Sequence, residues 1–390
     1  MSKLEELIQQ YCPDGVEWKT LKVVLKIRNG RDYKHLGEGP IPVYGSGGIM
    51  TYVDTPMYTN PSVLIPRKGS IDKLYYVDTP FWNVDTVFYT EIDTAQVVEK
   101  YVYYVLQKEH LEKLNTAGGV PSLTQSVLNE VIIPVPPLPV QEEIVRILDA
   151  FTELQAELQA ELQKRKQQYS YYLDNLLNFK NINRGGYQAE VRWMKMSEVM
   201  SISRGASPRP IQNYLTDAED GLPWIKIGDV SPSSKYISST KEKIKKEGAT
   251  KSRYLKKGDF ILSNSMSFGR PYILNIDGCI HDGWISMYGF EEHLDQDYLY
   301  YVLRSESVQT FWTAKANSGG AVSNLNSDIV RKTLIPIPSM AEQKRIASIL
   351  DRFDRLTNDL TSGLPAEIEK RRQQYEYYRD KLLTFKRKGA

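Results

Sequence analysis

The side chains that could do covalent or metal chemistry are few in these 390 residues, and none is grouped as such chemistry requires. Histidine occurs four times, as His35, His110, His281 and His293, scattered and without metal-ligand spacing. Cys12 and Cys279 are too few for a disulfide framework or a zinc cluster and read as buried packing residues. No GxxxxGK[ST] loop is present to hold a nucleotide, and no strand–GxGxxG–helix unit to hold a dinucleotide. Asn60-Pro61-Ser62 is not a methyltransferase NPPY-type motif. Asp14 and Glu17 crowd one turn, with no second acidic strand to complete a nuclease site. No catalytic residue and no metal ligand is assigned, and the composition of motifs points to recognition rather than catalysis.

The remaining chemistry is hydrogen bonding from exposed-type loops. Arg67-Lys68 and, further on, Asn264-Ser265 with Ser267 and Arg270 lie at roughly matching places in the chain. Trp82-Asn83 stands opposite His281-Asp282 when Asp78 is matched to Asp277, an offset of 199 residues. Arg or Lys can bond guanine bidentately, Asn can do so to adenine, and Asp can accept from cytosine. Tyr44, Gly45, Ser46 and Gly47, together with Gly118-Gly119 and Gly319-Gly320, offer hydroxyls and backbone amides suited to phosphates. Lys226 adds a further donor. Any single one of these loops is as easily an ordinary turn. Lys plus Arg number 50 against 48 Asp plus Glu, so global charge does not supply a grip on nucleic acid. The local run KEKIKKEGATKSRYLKK, 241–257, is a solvated face or, if it flanks a reading surface, a phosphate track.

The elements that must position these loops are written twice. IPVPPLPVQEEIVRILDAF at 133–151 returns as IPIPSMAEQKRIASILDRF at 335–353, an offset of 202 residues. Val16-x-Trp18 returns as Val191-x-Trp193, and YVYYVL at 101–106 as YLYYVL at 298–303. Two copies are too few for a solenoid and imply pseudo-twofold symmetry. In each copy the front mixes short β-like runs with Gly/Pro/Asn/Asp turns, such as 62–66, 73–78, 86–90 and 259–263, which predicts a β-rich α+β domain.

The back of each copy is helical. Pro134, Pro136, Pro137 and Pro139 predict a stiff extended lead-in, followed by a helix over 140–179. Ile144, Ile147, Leu148, Phe151, Leu154, Leu158 and Leu162 form one apolar stripe. Ile346, Ile349, Leu350, Phe353, Leu356 and Leu360 form its counterpart, so the two helices are expected to pair as an antiparallel coiled coil. ELQA-ELQA-ELQK at 153–164 is a tetrapeptide ruler, and Gly363-Leu364-Pro365 should break the second helix near Ser362. The expected fold class is α+β: two pseudo-twofold related β-rich domains separated by a long helix pair. The expected boundaries are 1–14 for an N-terminal helix, 15–134 and 189–336 for the domains, and 135–188 and 337–390 for the helical spacers. No run of about 18 apolar residues exists, and the N-terminus reads as an amphipathic helix rather than a signal peptide, so a cytoplasmic protein with no membrane partner is expected.

The paired IPVPPLPVQEEIVRILDAF and IPIPSMAEQKRIASILDRF segments, the ELQA tetrads and the KRKQQYSYY/KRRQQYEYY pair are joined by PVYGSGGI and ILSNSMSFGRPYILNIDG. Together they resemble the specificity subunits of type I restriction-modification systems over essentially the whole chain. The resemblance implies two target recognition domains, each reading half of a split site in double-stranded DNA. It implies helices that set the gap and dock two modification subunits, with restriction/translocase subunits joining through them. S-adenosylmethionine, ATP and Mg are then expected on the partner subunits, with no cofactor on this chain and methylation of a flipped adenine carried out by the partners. The rival readings are a coiled-coil adaptor that binds proteins only and a stand-alone DNA-modifying enzyme.

Overall fold

The computed structural model describes residues 2–115, 119–179, 191–231, 234–264, 268–316, 324–359 and 361–389. Gly118, Ser265, Ser267, Gly319, Gly320 and Leu360 lie outside the described residues. The chain forms two compact units, Met1–Gln159 with Ile368–Ala390, and Ala160–Glu367. The linear spacers expected at 135–188 and 337–390 are therefore each divided: every unit takes one stretch of both. Packing partners, not chain order, decide this.

The first unit opens with helix Lys3–Tyr11, fixed by a capping box in which Ser2 Oγ accepts from Glu5 N and Glu5 Oε2 accepts from Ser2 N. Strand Glu17–Thr20 pairs antiparallel with Ile132–Val135. The main sheet runs Leu25–Asn29, Val87–Ile92, Ser62–Pro66, Tyr75–Val77, and a second sheet runs Gly48–Val53, Ile41–Gly45, Trp82–Asn83. SVLIP at 62–66 is buried on both faces: Val63 and Ile65 enter the main core and Leu64 a second one, as two-residue periodicity dictates.

The second unit repeats this plan with additions. Its main sheet runs Ser201–Arg204, Trp284–Tyr288, Phe260–Ser263, Pro271–Leu274, Tyr236–Ile237. Phe260 and Leu262 face one core and Ile261 another. The second sheet runs Leu215–Thr216, Glu242–Ile244, Leu222–Ile225, Gly278–Ile280, Arg253–Leu255. Cys12 and Cys279 are both buried thiols, and burial pushes Cys279 up to about 11.

In both units the same polar joint seats a helix on the sheets. Gln141 is fully buried; its amide donates to Gln96 O and Pro136 O, and its oxygen accepts from Val98 N. Gln343 repeats this with His293 O, Pro338 O and Asp295 N. Tyr101 and Tyr298 hydroxyls donate to the carbonyls of Pro134 and Pro336, and Tyr104 and Tyr301 to the carboxylates of Asp149 and Asp351. These contacts account for four of the tyrosines repeated in the sequence.

The first long helix is Leu138–Leu177, forty residues or about 60 Å at about 1.5 Å per residue. It begins before Pro139, which sits in the first turn, where a missing N–H costs nothing because that donor lacks a helical partner anyway. Pro134 belongs to strand Ile132–Val135. The second helical segment is broken as the Gly-x-Pro signal implies, into Met340–Asn358 and Leu364–Leu382. Between them Asp359 accepts from Thr361 N, Thr361 Oγ1 and Ser362 Oγ, which holds its carboxyl well below the ordinary range.

In the first unit Ile144 and Leu148 are fully buried, Ile147 and Phe151 pack beside them, and Phe151 stacks on Tyr378 at 5.4 Å between ring centroids. In the second, Leu162 and Leu350 are buried, and Tyr172 stacks on Phe353 at 5.1 Å. Leu154, Leu158 and Ile349 are half-buried. Leu356 corrects the expected stripe: it is 37% exposed, while Thr357 is buried. The row facing the core steps Ile346, Leu350, the partly buried Phe353 and Thr357, spacings of four, three and four, so Leu356 falls off that face.

Candidate nucleic-acid interface

Identical backbone hydrogen bonds define which residues of the two heads are equivalent. Arg67 N donates to Thr86 O and Leu123 N to Arg67 O; Asn264 N donates to Gly283 O and Leu325 N to Asn264 O. Gly30 N donates to Val87 O as Gly205 N does to Trp284 O. A Cβ on Gly30 would strike the Val84 carbonyl, and one on Gly205 the His281 carbonyl. Both glycines are required by this close backbone approach. Arg67 and Asn264 are thus the same position.

This register changes the other predicted pairing. Strand pairing sets Val43 beside Trp82 and Trp224 beside Cys279, so Trp82 corresponds to Cys279, Asn83 to Ile280, Val84 to His281 and Asp85 to Asp282. The true offset here is 197 residues, two fewer than the match of Asp78 to Asp277 implies, as Val87 and Trp284 confirm. Connecting loops of unequal length shift the alignment, and only the ladder fixes it.

Several predicted contact residues are framework. Asn83 is fully buried, and its amide donates to Val87 O at 2.7 Å. Trp82 is buried, its indole N–H donating to Arg31 O. Gly45 to Gly48 form the turn joining two strands, with Gly48 at φ 120°, a conformation glycine tolerates best; Tyr75 Oη donates to Ser46 O. Tyr44 packs among Tyr75 and Phe81. Gly119 and Lys68 are exposed, and Lys68 bridges to Ser122.

In the second unit, Arg204, Asn264, His281, Asp282, Asn324 and Asn326 line a cleft of about 500 Å³. A neighbouring cleft of about 480 Å³ is lined by Ser207, Arg209, Trp224 and Lys226, again with His281 and Asp282. Asp282 is the pivot. Its carboxylate accepts from Ser207 Oγ at 3.1 Å and Arg209 at 3.1 Å, and His281 Nε2 lies 3.0 Å from it. Burial works to raise its pKa, but His281, Ser207 and Arg209 together outweigh burial and hold the carboxyl below its ordinary range. His281 Nδ1 accepts from Gly283 N, while its Nε2 faces the Asp282 carboxylate. Lys226 pairs with Glu242 at 2.5 Å, and Arg270 lies over the Tyr272 ring. Arg204 and Asn324, exposed on the first cleft, were not singled out from sequence; only the loop before the short helix Ser327–Arg331 brings Asn324 there. Among the described residues no group of His, Cys, Asp and Glu could hold a metal ion, and no helix is long and apolar enough to cross a membrane.

Two copies of one framework, each carrying different polar side chains at the same backbone positions, are what a pair of recognition modules requires. The pattern of the type I restriction modification DNA specificity domain matches residues 13–168 and 188–370, and the chain belongs to that family. It is 31% identical to the Escherichia coli type I restriction enzyme EcoR124I/EcoR124II specificity subunit, over 99% of this chain and 97% of that one. Its fold is also that of solved proteins. The S subunit of a type I restriction-modification system from M. genitalium superposes with a TM-score of 0.60 at 16% identity, covering 95% of this chain and 96% of that one. A chain from a structure on complex assembly and conformational transition of the type I R-M system gives a TM-score of 0.64 at 14% identity, covering 95% and 98%. The chain is a type I specificity subunit with two target recognition domains, the DNA-specifying and non-catalytic part of such systems.

Proposed function

We propose that each recognition domain reads one half of a bipartite site in double-stranded DNA, and that the helices set the gap between the half-sites and dock two modification subunits. The observation that carries this is the matched backbone position of the two heads, which presents Arg67 in one and Asn264 in the other. The first long helix supports the gap-setting role, because it runs without interruption through the boundary at Gln159 and Ala160, inside the ELQA tetrads. Restriction/translocase subunits join through the modification subunits, in the cytoplasm. The partners carry S-adenosylmethionine, ATP and Mg and perform the chemistry; this chain supplies position.

The test is single-molecule methylome sequencing of a host expressing this chain with its modification subunits. A split motif of two short half-sites with a constant gap is expected, and no methylation from the purified chain alone. A continuous motif, or methylation by the isolated chain, would contradict the proposal.

A further inference from the structure

We infer that Arg67 and Asn264 are the base-reading side chains at one shared position of the two heads, Arg67 suited to a guanine in one half-site and Asn264 to an adenine in the other. This rests on the proposal that each head reads bases, and goes further by choosing among the polar residues of the clefts. The choice depends on which hydrogen-bonding groups are already engaged. Asn83 is buried and holds Val87 O. His281 Nδ1 is engaged by Gly283 N and its Nε2 faces Asp282, whose carboxylate already accepts from Ser207 and Arg209. Lys226 is neutralised by Glu242. Buried or satisfied groups of this kind order the cleft and have little left for a base edge.

Arg67 and Asn264 differ from these. The Arg67 guanidinium lies 4.9 Å from the Phe88 ring centroid, and its Nη1 meets Asn29 Oδ1 at a long 3.4 Å. Its Nε is buried without a protein acceptor, and among the described residues no carboxylate pairs with it. The ring holds a planar donor fork in place while leaving most of its N–H groups open, the arrangement a bidentate acceptor edge needs. Asn264 gives one amide hydrogen to Asp282 O at 3.3 Å and lines the open cleft with Arg204 and Asn324. Arg paired to guanine and Asn paired to adenine are the two commonest geometric matches of side chain to base edge. The same two backbone bonds hold both residues, so a change of side chain changes the letter and not the frame.

The experiment is methylome sequencing of the complete complex carrying Arg67→Asn, Asn264→Arg or Arg67→Lys. Arg67→Asn is expected to alter or relax one letter in one half-site, with a change in discrimination of roughly 5- to 150-fold, and to leave the other half-site and the gap intact. Asn264→Arg is expected to do the same in the opposite half-site. Arg67→Lys keeps charge and stem but loses the fork, so it should relax that letter while retaining methylation, and it covers the case in which the larger change disturbs folding. Unaltered letters with methylation retained in Arg67→Lys would overturn the inference, as would weakening that is uniform over all sequences, which marks a phosphate contact. A wild-type complex with no split motif would instead overturn the proposal on which the inference rests.

Discussion

Replacing Gln343 with alanine tests the joint that seats a helix on the sheets of the second unit. The side chain is 1% exposed and makes three hydrogen bonds, from Asp295 N at 2.8 Å and to His293 O and Pro338 O at 2.9 and 3.0 Å. Alanine leaves a buried N–H and two carbonyls without these partners and opens a small void. An unsatisfied buried group costs about 1–3 kcal/mol, and carbonyls tolerate the loss better than N–H groups, so a total of about 3–5 kcal/mol is expected. Gln343→Glu should be no better, since a carboxylate then faces two carbonyls. Urea denaturation followed by tryptophan fluorescence reads the second unit through Trp224, Trp284 and Trp312, all buried there. The account predicts a transition moved to clearly lower urea for both variants. A loss below about 0.5 kcal/mol for Gln343→Ala would refute the reasoning, because that is the range of ordinary surface substitutions.

Leu350→Ala should cost about 2–5 kcal/mol and Leu356→Ala no more than about 0.5, since the first is fully buried and the second is on the open face; the same denaturation assay separates them. Glu143 is held at about 2, below its ordinary 4.5, chiefly by hydrogen bonds from Arg146 and, after the opposing effect of burial, from Lys3. Its contribution to stability is complete above about pH 4.5 and is lost as pH falls toward 2, so Glu143→Gln should flatten that part of an acid denaturation profile. Asp282→Ala frees Arg209, Ser207 and His281, and should weaken DNA binding of the complex by roughly tenfold. Only one half-site should be affected in competition assays, and unchanged affinity would remove this cleft from the interface.

Much of this organisation was legible because duplication wrote it twice: the Gln, Tyr and apolar positions of the helices recur at fixed offsets, and the Gln and Tyr side chains recur in the same hydrogen bonds. The break at Gly363 was legible for a local reason, since a Gly-x-Pro sequence interrupts a helix wherever it occurs. The sites were less so. Nothing in the types of Trp82 and Asn83 announced that they lie beneath the surface, because burial depends on strands distant in sequence. The two-residue slip between Trp82 and His281 had the same origin: ladder bonds, not similarity, define equivalence there. The sharing of both helical segments between the two units was also hidden, since it is a matter of which distant surface covers each apolar stripe.

The central claim is that two independent readers are joined by a helical ruler. Inserting one ELQA tetrad within 153–164 lengthens the helix by about 6 Å and turns its C-terminal part by about 40° relative to its start. DNA advances by about 3.4 Å and about 35° per base pair, so the gap should grow by one or two base pairs. Methylome sequencing of the insertion variant should show the same letters in both half-sites with that longer gap. An unchanged gap, or new letters in either half-site, would contradict the account.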